Sequence, residues 1–264
     1  MRVPLLDLQR QYANVKEDAD AALLNAFNGA NYIMGANVKA FEQEFANYIG
    51  TKHCITVGNG TDALVIILKA YGIGAGDEVI TTPYTFFSTA EAISCVGATP
   101  VFVDVHRDTC NIDEALIEPA ITPRTKAIMP VHIFGACAEM DSINAIAKKH
   151  NLVVIEDACQ AAGGSYKGKM AGNLGDASCF SFFPTKNLGC GGDGGCICTN
   201  DDNIALICRA LKAHGSGENG QKAYNLLNNI TEEVTADTCT DNTVYNPLKY
   251  YNYLIGHNSR LDEV

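Results

Sequence analysis

The chain has no run of about eighteen apolar residues, so nothing in it is long enough to span a bilayer as a helix. Its opening, MRVPLLDLQRQY, lacks the basic start, apolar stretch and small-residue cleavage site of a signal peptide, and the expectation is a soluble, cytoplasmic protein. Positive charge is scarce. Nineteen Lys and Arg stand against thirty Asp and Glu, a net charge of −11 that repels phosphate backbones and anionic membrane surfaces, so neither nucleic acid nor membrane is expected as a partner. Cysteine is plentiful, at eleven residues, but it lacks a framework: there is no C-x-x-C, and several cysteines sit in apolar runs such as ASCFSFF and GGCICTN. They read as reduced, small hydrophobic residues rather than disulfide or zinc ligands. Asp104, His106, His132 and Cys137 form no recognised ligand spacing either, and no metal is expected. With 264 residues and 47% hydrophobic content, a disordered chain or a stapled miniprotein is excluded.

Helical apolar spacing appears over 16–29 and 36–49, divided by the Gly-bearing NGANYIMGAN, and predicts two amphipathic helices in an N-terminal segment, residues 1–50. From 51 to 214 the pattern changes to short β-branched runs separated by helical stretches. Strands are predicted at 53–57, 78–82, 100–105, 127–133, 152–157, 177–183 and 195–199, and helices at 61–71, 85–96, 112–118, 139–150 and 202–213. Such alternation predicts an α/β fold, a mainly parallel seven-stranded sheet flanked by helices. Residues 215–257, rich in Asn, Thr, Gly and Tyr (Tyr224, Tyr245, Tyr250, Tyr251, Tyr253), predict a long loop or lid. The last residues, 258–264, are expected to begin a C-terminal region of which the rest is missing, with Asn258 or Ser259 as a helix cap.

Four stretches carry chemistry. Gly58-Asn59-Gly60-Thr61-Asp62 follows a strand and opens a helix, where free backbone N–H groups receive a phosphate; the same stretch also reads as an ordinary turn with Thr61 as N-cap. A formal G-x-G-x-x-G at Gly189, Gly191 and Gly194 leads into a strand rather than a helix, which argues against a dinucleotide site and for a hairpin turn or a close backbone approach. Glu156-Asp157 ends the apolar strand LVVIED; successive side chains point to opposite faces, so one carboxylate faces the carboxyl-end crevice where α/β sheets bind ligands. A carboxylate capping the next turn is the alternative. Lys186, in SFFPTKNLG, follows an apolar strand and precedes a Gly-rich turn, the setting either of a Schiff-base amine or of a solvated loop lysine.

Together these segments resemble the DegT/DnrJ/EryC1/StrS family of pyridoxal-phosphate enzymes, the sugar aminotransferase branch of the fold-type I aspartate aminotransferase superfamily. The resemblance runs through PLLDLQRQY, GNGTDAL, TTPYTFFSTAEAI, VFVDV, TKAIMPVHIFG, IEDACQA, GDASCFSFFPTKNLGCGGDGG and GHNSRLDE, in family order over nearly the whole chain. It implies the large pyridoxal-phosphate-binding domain of that fold, with the smaller C-terminal domain apparently missing.

By the same resemblance Lys186 matches the lysine that forms the internal aldimine and shuttles a proton, and Asp157 matches the carboxylate that pairs with the pyridine nitrogen. Phe86 matches an aromatic stacked on one ring face, and Gln160 a position at the ring oxygen or face. Gly60, Thr61, Asp62 (through its backbone N–H) and Ser181 match the phosphate cradle, completed in the family by an Asn of the neighbouring subunit, here Asn258, so a homodimer with shared active sites is implied. The implied reaction moves an amino group from an amino acid, usually glutamate, through pyridoxamine phosphate to a nucleotide-linked keto sugar. Relatives that dehydrate sugars carry His where this chain keeps Lys186, so the resemblance is to the aminotransferases. Two alternatives stand beside it: an acceptor that is a cyclitol or other keto antibiotic precursor, and a catalytically inactive, pyridoxal-phosphate-binding regulatory relative.

Overall fold

The apolar runs and the helical stretches between them fold as one sheet with a helical layer on each face in the computed structural model, which describes residues 4–231 and 251–264. The strands are β1 (His53–Val57), β2 (Glu78–Thr81), β3 (Thr99–Phe102), β4 (Thr125–Ile128), β5 (Val153–Asp157), a small separate hairpin β6 (Ser165–Tyr166) and β7 (Lys169–Met170), then β8 (Ala177–Ser181) and β9 (Gly195–Thr199). The helices are α1 (Leu8–Gly29), α2 (Ala36–Ile49), α3 (Gly60–Ala70), α4 (Ser88–Cys95), α5 (Ile117–Ala120), α6 (Met140–His150), α7 (Asp202–Leu211) and α8 (Gly217–Leu227).

Seven strands form the main sheet in the order β1-β9-β8-β5-β4-β2-β3, as the alternation predicts. Every pair among β8, β5, β4, β2 and β3 is parallel, and β9 alone runs against both of its neighbours, β1 and β8. The glycines at 189–194 therefore lie in the β8–β9 hairpin connection. On one face Ile55, Val79, Ile155 and Ile197 pack under α3, α4 and α7. Eight of the eleven residues of α3 are buried, which is why its sequence GTDALVIILKA is apolar nearly all round. The other face packs Phe180 and Phe182 against Phe45 of α2, and Ile80 and Ile128 against Ile143 of α6.

β1 is an edge strand, and its free edge is sealed by side chains rather than by another strand. Glu42 of α2 accepts from the Thr56 N–H and hydroxyl, both at 2.9 Å; Arg209 donates to the Cys54 carbonyl at 3.0 Å and Lys212 to the Thr56 carbonyl at 2.7 Å. Arg209 and Lys212 also pair with Glu42, at 2.8 and 3.2 Å. Burial pushes the Glu42 carboxyl upward, but the two cations outweigh it and hold the group below the usual glutamate value. The edge is thus closed to pairing with another chain.

Several boundaries differ from the sequence reading. The first helix starts at Leu8 rather than 16, because Asp7 caps it by accepting from the Arg10 N–H at 3.0 Å. The helix expected at 112–118 is a 3-10 turn, Glu114–Leu116, running into the four residues of α5, and the strand expected at 127–133 stops at Ile128 ahead of Pro130. The segment expected as a loop from 215 contains α8. Its glycines hid it: a Cβ at Gly220 would lie 2.1 Å from the Gly215 carbonyl oxygen, so the glycine that weakens the helical signal is what lets the helix close on α7. Residues 251–257 return along this corner, Tyr253 N–H to Gly215 and His257 N–H to Leu211. Tyr245 and Tyr250 lie outside the described residues. No helix among the described residues is long and apolar enough to cross a membrane.

Candidate active site

The carboxyl ends of β1, β5 and β8 open on one cavity of about 720 Å³, within the range of small-molecule and cofactor sites. At one end stands the start of α3. Asn59 caps the helix by accepting from the Asp62 N–H at 2.8 Å, which leaves the N–H groups of Gly60 and Thr61 without an acceptor among the described residues. These are the donors a phosphate would meet at a helix N-terminus. The Asp62 N–H, expected to join them, is occupied by the cap. Its carboxylate accepts from the Ser259 hydroxyl at 2.6 Å. The Thr61 and Ser88 hydroxyls share a hydrogen bond of 2.8 Å, and Ser181 closes the same end. Gly60 is required by space: a Cβ there would lie 2.8 Å from Cys159 Sγ and 2.9 Å from Ser181 Cβ.

The strand β5 divides its two carboxylates as the alternation predicts. Glu156 is fully buried on the α6 face and saturated by His132 at 2.9 Å and by the N–H groups of Gly172, Leu174 and Gly175 at 2.6–2.7 Å. Asp157 faces the cavity at 6% exposure. Its Oδ2 accepts from the Thr89 hydroxyl at 2.8 Å, and Oδ1 from the Cys159 N–H at 3.2 Å, so it also caps the following turn. No cation pairs with it among the described residues. A buried carboxylate without a counter-charge is costly, and a protonated ring nitrogen in the cavity would supply that charge.

Lys186 lines the same cavity from the β8–β9 connection, half-buried and in no ion pair among the described residues. Its backbone N–H bonds to the Phe183 carbonyl at 2.8 Å, and the loop is closed again where the Cys190 N–H meets the Phe182 carbonyl. Phe86 lies at the cavity with 68% of its surface exposed, a bare aromatic face available for stacking. Gln160 accepts the Phe134 N–H on its amide oxygen at 2.9 Å, in a turn where Phe134 holds the left-handed φ of 55°, so its amide nitrogen remains free to donate. Asn258 is exposed and does not line the cavity of its own chain.

Eight of the nine residues singled out in the sequence therefore meet at one cavity, Asn258 being the exception. Thr89, Thr85 and Cys159 were missed. Thr85 and Thr89 share a hydrogen bond of 2.8 Å across one helical turn, and Thr89 passes it on to Asp157; their i, i+4 spacing in TFFST is the signal that was available. Cys159 lies 3.5 Å from Cys179. The Cys179 contact draws the Cys159 thiol down, but burial and the Asp157 carboxylate outweigh it and raise it, so this thiol stays neutral beside Lys186.

The described residues fit pyridoxal phosphate in kind: free helix-end donors for the phosphate, an uncovered carboxylate for the ring nitrogen, an aromatic face and a free amine. Comparison with known proteins agrees. The model of the DegT/DnrJ/EryC1/StrS aminotransferase family matches residues 13–264. The chain is 47% identical over 264 residues to a pleiotropic regulatory protein of Geobacillus stearothermophilus, covering all of this chain and 63% of that protein. It is 49% identical over 213 residues to the UDP-2-acetamido-2-deoxy-3-oxo-D-glucuronate aminotransferase of Pseudomonas aeruginosa, covering 81% of this chain and 59% of that one. Among solved structures, DesV of S. venezuelae superimposes with a TM-score of 0.86 at 39% identity, covering 99% of this chain and 62% of DesV. The chain thus spans about three fifths of the length of these relatives.

Proposed function

Because the chain belongs to the DegT/DnrJ/EryC1/StrS aminotransferase family, we propose that its cavity binds pyridoxal phosphate and moves an amino group from an amino acid, glutamate in the first instance, to a nucleotide-linked keto sugar. The observation that carries this reading is the pairing, in one cavity, of a buried carboxylate without a cation and a lysine without an anion. When bound, pyridoxal phosphate supplies an aldehyde that captures amines and a conjugated ring that accepts the electron pair left by C–H cleavage.

The chain's own groups do the rest. Asp157 keeps a proton on the ring nitrogen, and Thr89 and the Cys159 N–H fix the direction of its oxygens. Lys186 Nζ holds the cofactor, then carries a proton between the substrate carbon and the cofactor carbon. The Gly60 and Thr61 N–H groups and the Ser181 hydroxyl anchor the phosphate, while Phe86 covers one ring face and Gln160 orients the other side.

A homodimer belongs to this reading. Only Ala26 of the 22 residues of α1 is buried, so Leu23, Leu24 and Phe27 are left on the surface, an apolar patch of the kind a second copy covers. The exposed Asn258 would reach the partner's cradle. Ten cysteines, all free among the described residues, favour the reducing cytoplasm. A second reading, a regulatory relative that binds the cofactor without turning it over, is favoured by the name of the Geobacillus relative.

Borohydride reduction of the cofactor-loaded protein, followed by peptide mapping, tests the site: the adduct is expected on the peptide containing Lys186, and an adduct on another lysine would refute the assignment. Glutamate alone should bleach the yellow colour of the loaded protein. Retained colour would favour the regulatory reading. Amination of a nucleotide-linked keto sugar, compared with a free cyclitol ketone, decides the acceptor class.

A further inference from the structure

On the sheet face beneath α2, away from the cavity, the fold assembles three thiols that the sequence spacing leaves apart. Cys196 and Cys198 are two residues apart on β9 and share a face; antiparallel pairing sets Cys54 of β1 directly opposite Cys198. The three sulfurs all lie within 4.8 Å of one another. Each residue is at most 2% exposed, in a shell that includes Phe45, Ile49 and Phe180.

Two cations and two carboxylates lie around them. Arg209 and Lys212 face a single carboxylate, Glu42, and the two cations donate to the carbonyls of Cys54 and Thr56. Arg209 and Lys212 thus carry one positive charge in excess of Glu42 beside the strand of Cys54, and the Glu156 carboxylate acts on Cys198.

We propose that Cys54, Cys196 and Cys198 form a buried three-thiolate site for a divalent thiophilic cation such as zinc. Loading is a proton exchange with no change of oxidation state: three S–H bonds break, three metal–sulfur bonds form, and three protons leave to solvent. Three thiolates and one divalent ion sum to a single negative charge, and Arg209 and Lys212 are the cations beside it. A zinc–sulfur distance of about 2.3 Å puts ligand sulfurs about 3.8 Å apart, so closure asks each pair to contract by no more than about 1 Å, with a solvent molecule at the fourth corner. The ion would staple β1 to β9. β1 leads directly into the Gly58–Thr61 turn, and β9 begins where the Lys186 loop ends, so the staple would fix both walls of the cavity from behind.

The test is titration of the reduced 264-residue chain with cadmium(II) chloride, read by thiolate-to-cadmium charge transfer in the ultraviolet and by melting temperature. Saturation at one equivalent per chain with a raised melting temperature is expected. Cys198→Ala should weaken binding by about 100-fold or more, at least the upper end of what loss of a mere outer partner costs a metal site. Cys54→Val, a residue at home in a strand, repeats the test with the fold preserved, and circular dichroism establishes folding for both. Cys159→Ala and Cys95→Ala, which remove a cavity thiol and an exposed one, should bind as before. Absence of one-equivalent binding, survival of the band in folded Cys198→Ala or Cys54→Val, or its loss in Cys159→Ala would overturn the proposal.

Discussion

Two carboxylates packed against this sheet, one from α2 and one from β5, are treated in opposite ways. At the β1 edge Glu42 lies between Arg209 and Lys212 and takes two further hydrogen bonds from Thr56, so its charge is consumed by the fold. At the carboxyl end of β5 Asp157 has hydrogen bonds but no cation, and Lys186, lining the same cavity, has no anion. The first arrangement stabilises; the second holds a cost in reserve for a ligand that brings the missing charge. Charge pairing, more than burial, thus separates scaffold from site.

Substitutions can break that contrast, starting where the effect is largest. Lys186→Ala should lower turnover by about 10⁴-fold or more, since it removes both the covalent anchor and the proton carrier, while phosphate contacts keep part of the cofactor affinity; steady-state kinetics and equilibrium dialysis measure the two. Lys212→Met should destabilise the fold by about 3–5 kcal/mol in urea unfolding, because Glu42 loses a cation and the Thr56 carbonyl a donor. Asp157→Asn keeps the shape but removes the charge, and should cost about 10²–10³-fold in turnover. Without cofactor the same variant should melt higher than the parent, the opposite sign to Lys212→Met, and a lower melting temperature would refute the idea that its charge is held in reserve.

A fourth expectation concerns acid. The native Glu42 pKa is depressed, so as pH falls the unfolded chain takes up the proton first; the stabilisation is whole above the ordinary value of about 4.5 and is lost as pH falls through the native one. Glu42→Gln should flatten that limb of the stability–pH curve. The smallest effect is at Thr89→Val, which removes one donor to Asp157 and should reduce turnover by about tenfold with little change in melting temperature.

Much of the fold was legible because the strands of a sheet covered on both faces announce themselves as short apolar runs, and all seven strands of the main sheet were found. The site was legible where it rests on short strings: Lys186 after SFFPT, Asp157 at the end of LVVIED, Thr61 in GNGTDAL. What stayed hidden needs contacts between distant parts of the chain. Nothing in GSGENGQKAYNLL signals α8, whose helix depends on Gly220 meeting Gly215. Nothing near Glu42 says that it seals an edge built 14 residues later, as its bond to Thr56 shows. The free N–H groups at α3 shifted from Asp62 to Gly60 and Thr61 because Asn59, not Thr61, is the cap.

The reversed direction of β9 has a consequence for the cavity lysine. Because β8 and β9 are adjacent and antiparallel, the connection from 182 to 194 leaves and re-enters the sheet one strand apart, pinned by Phe182 N–H to Gly194 and Cys190 N–H to Phe182. A tether with both feet planted so close together sweeps little volume. In the proposed reaction Lys186 is thereby presented at a high effective molarity, its positional entropy surrendered during folding instead of at each turnover.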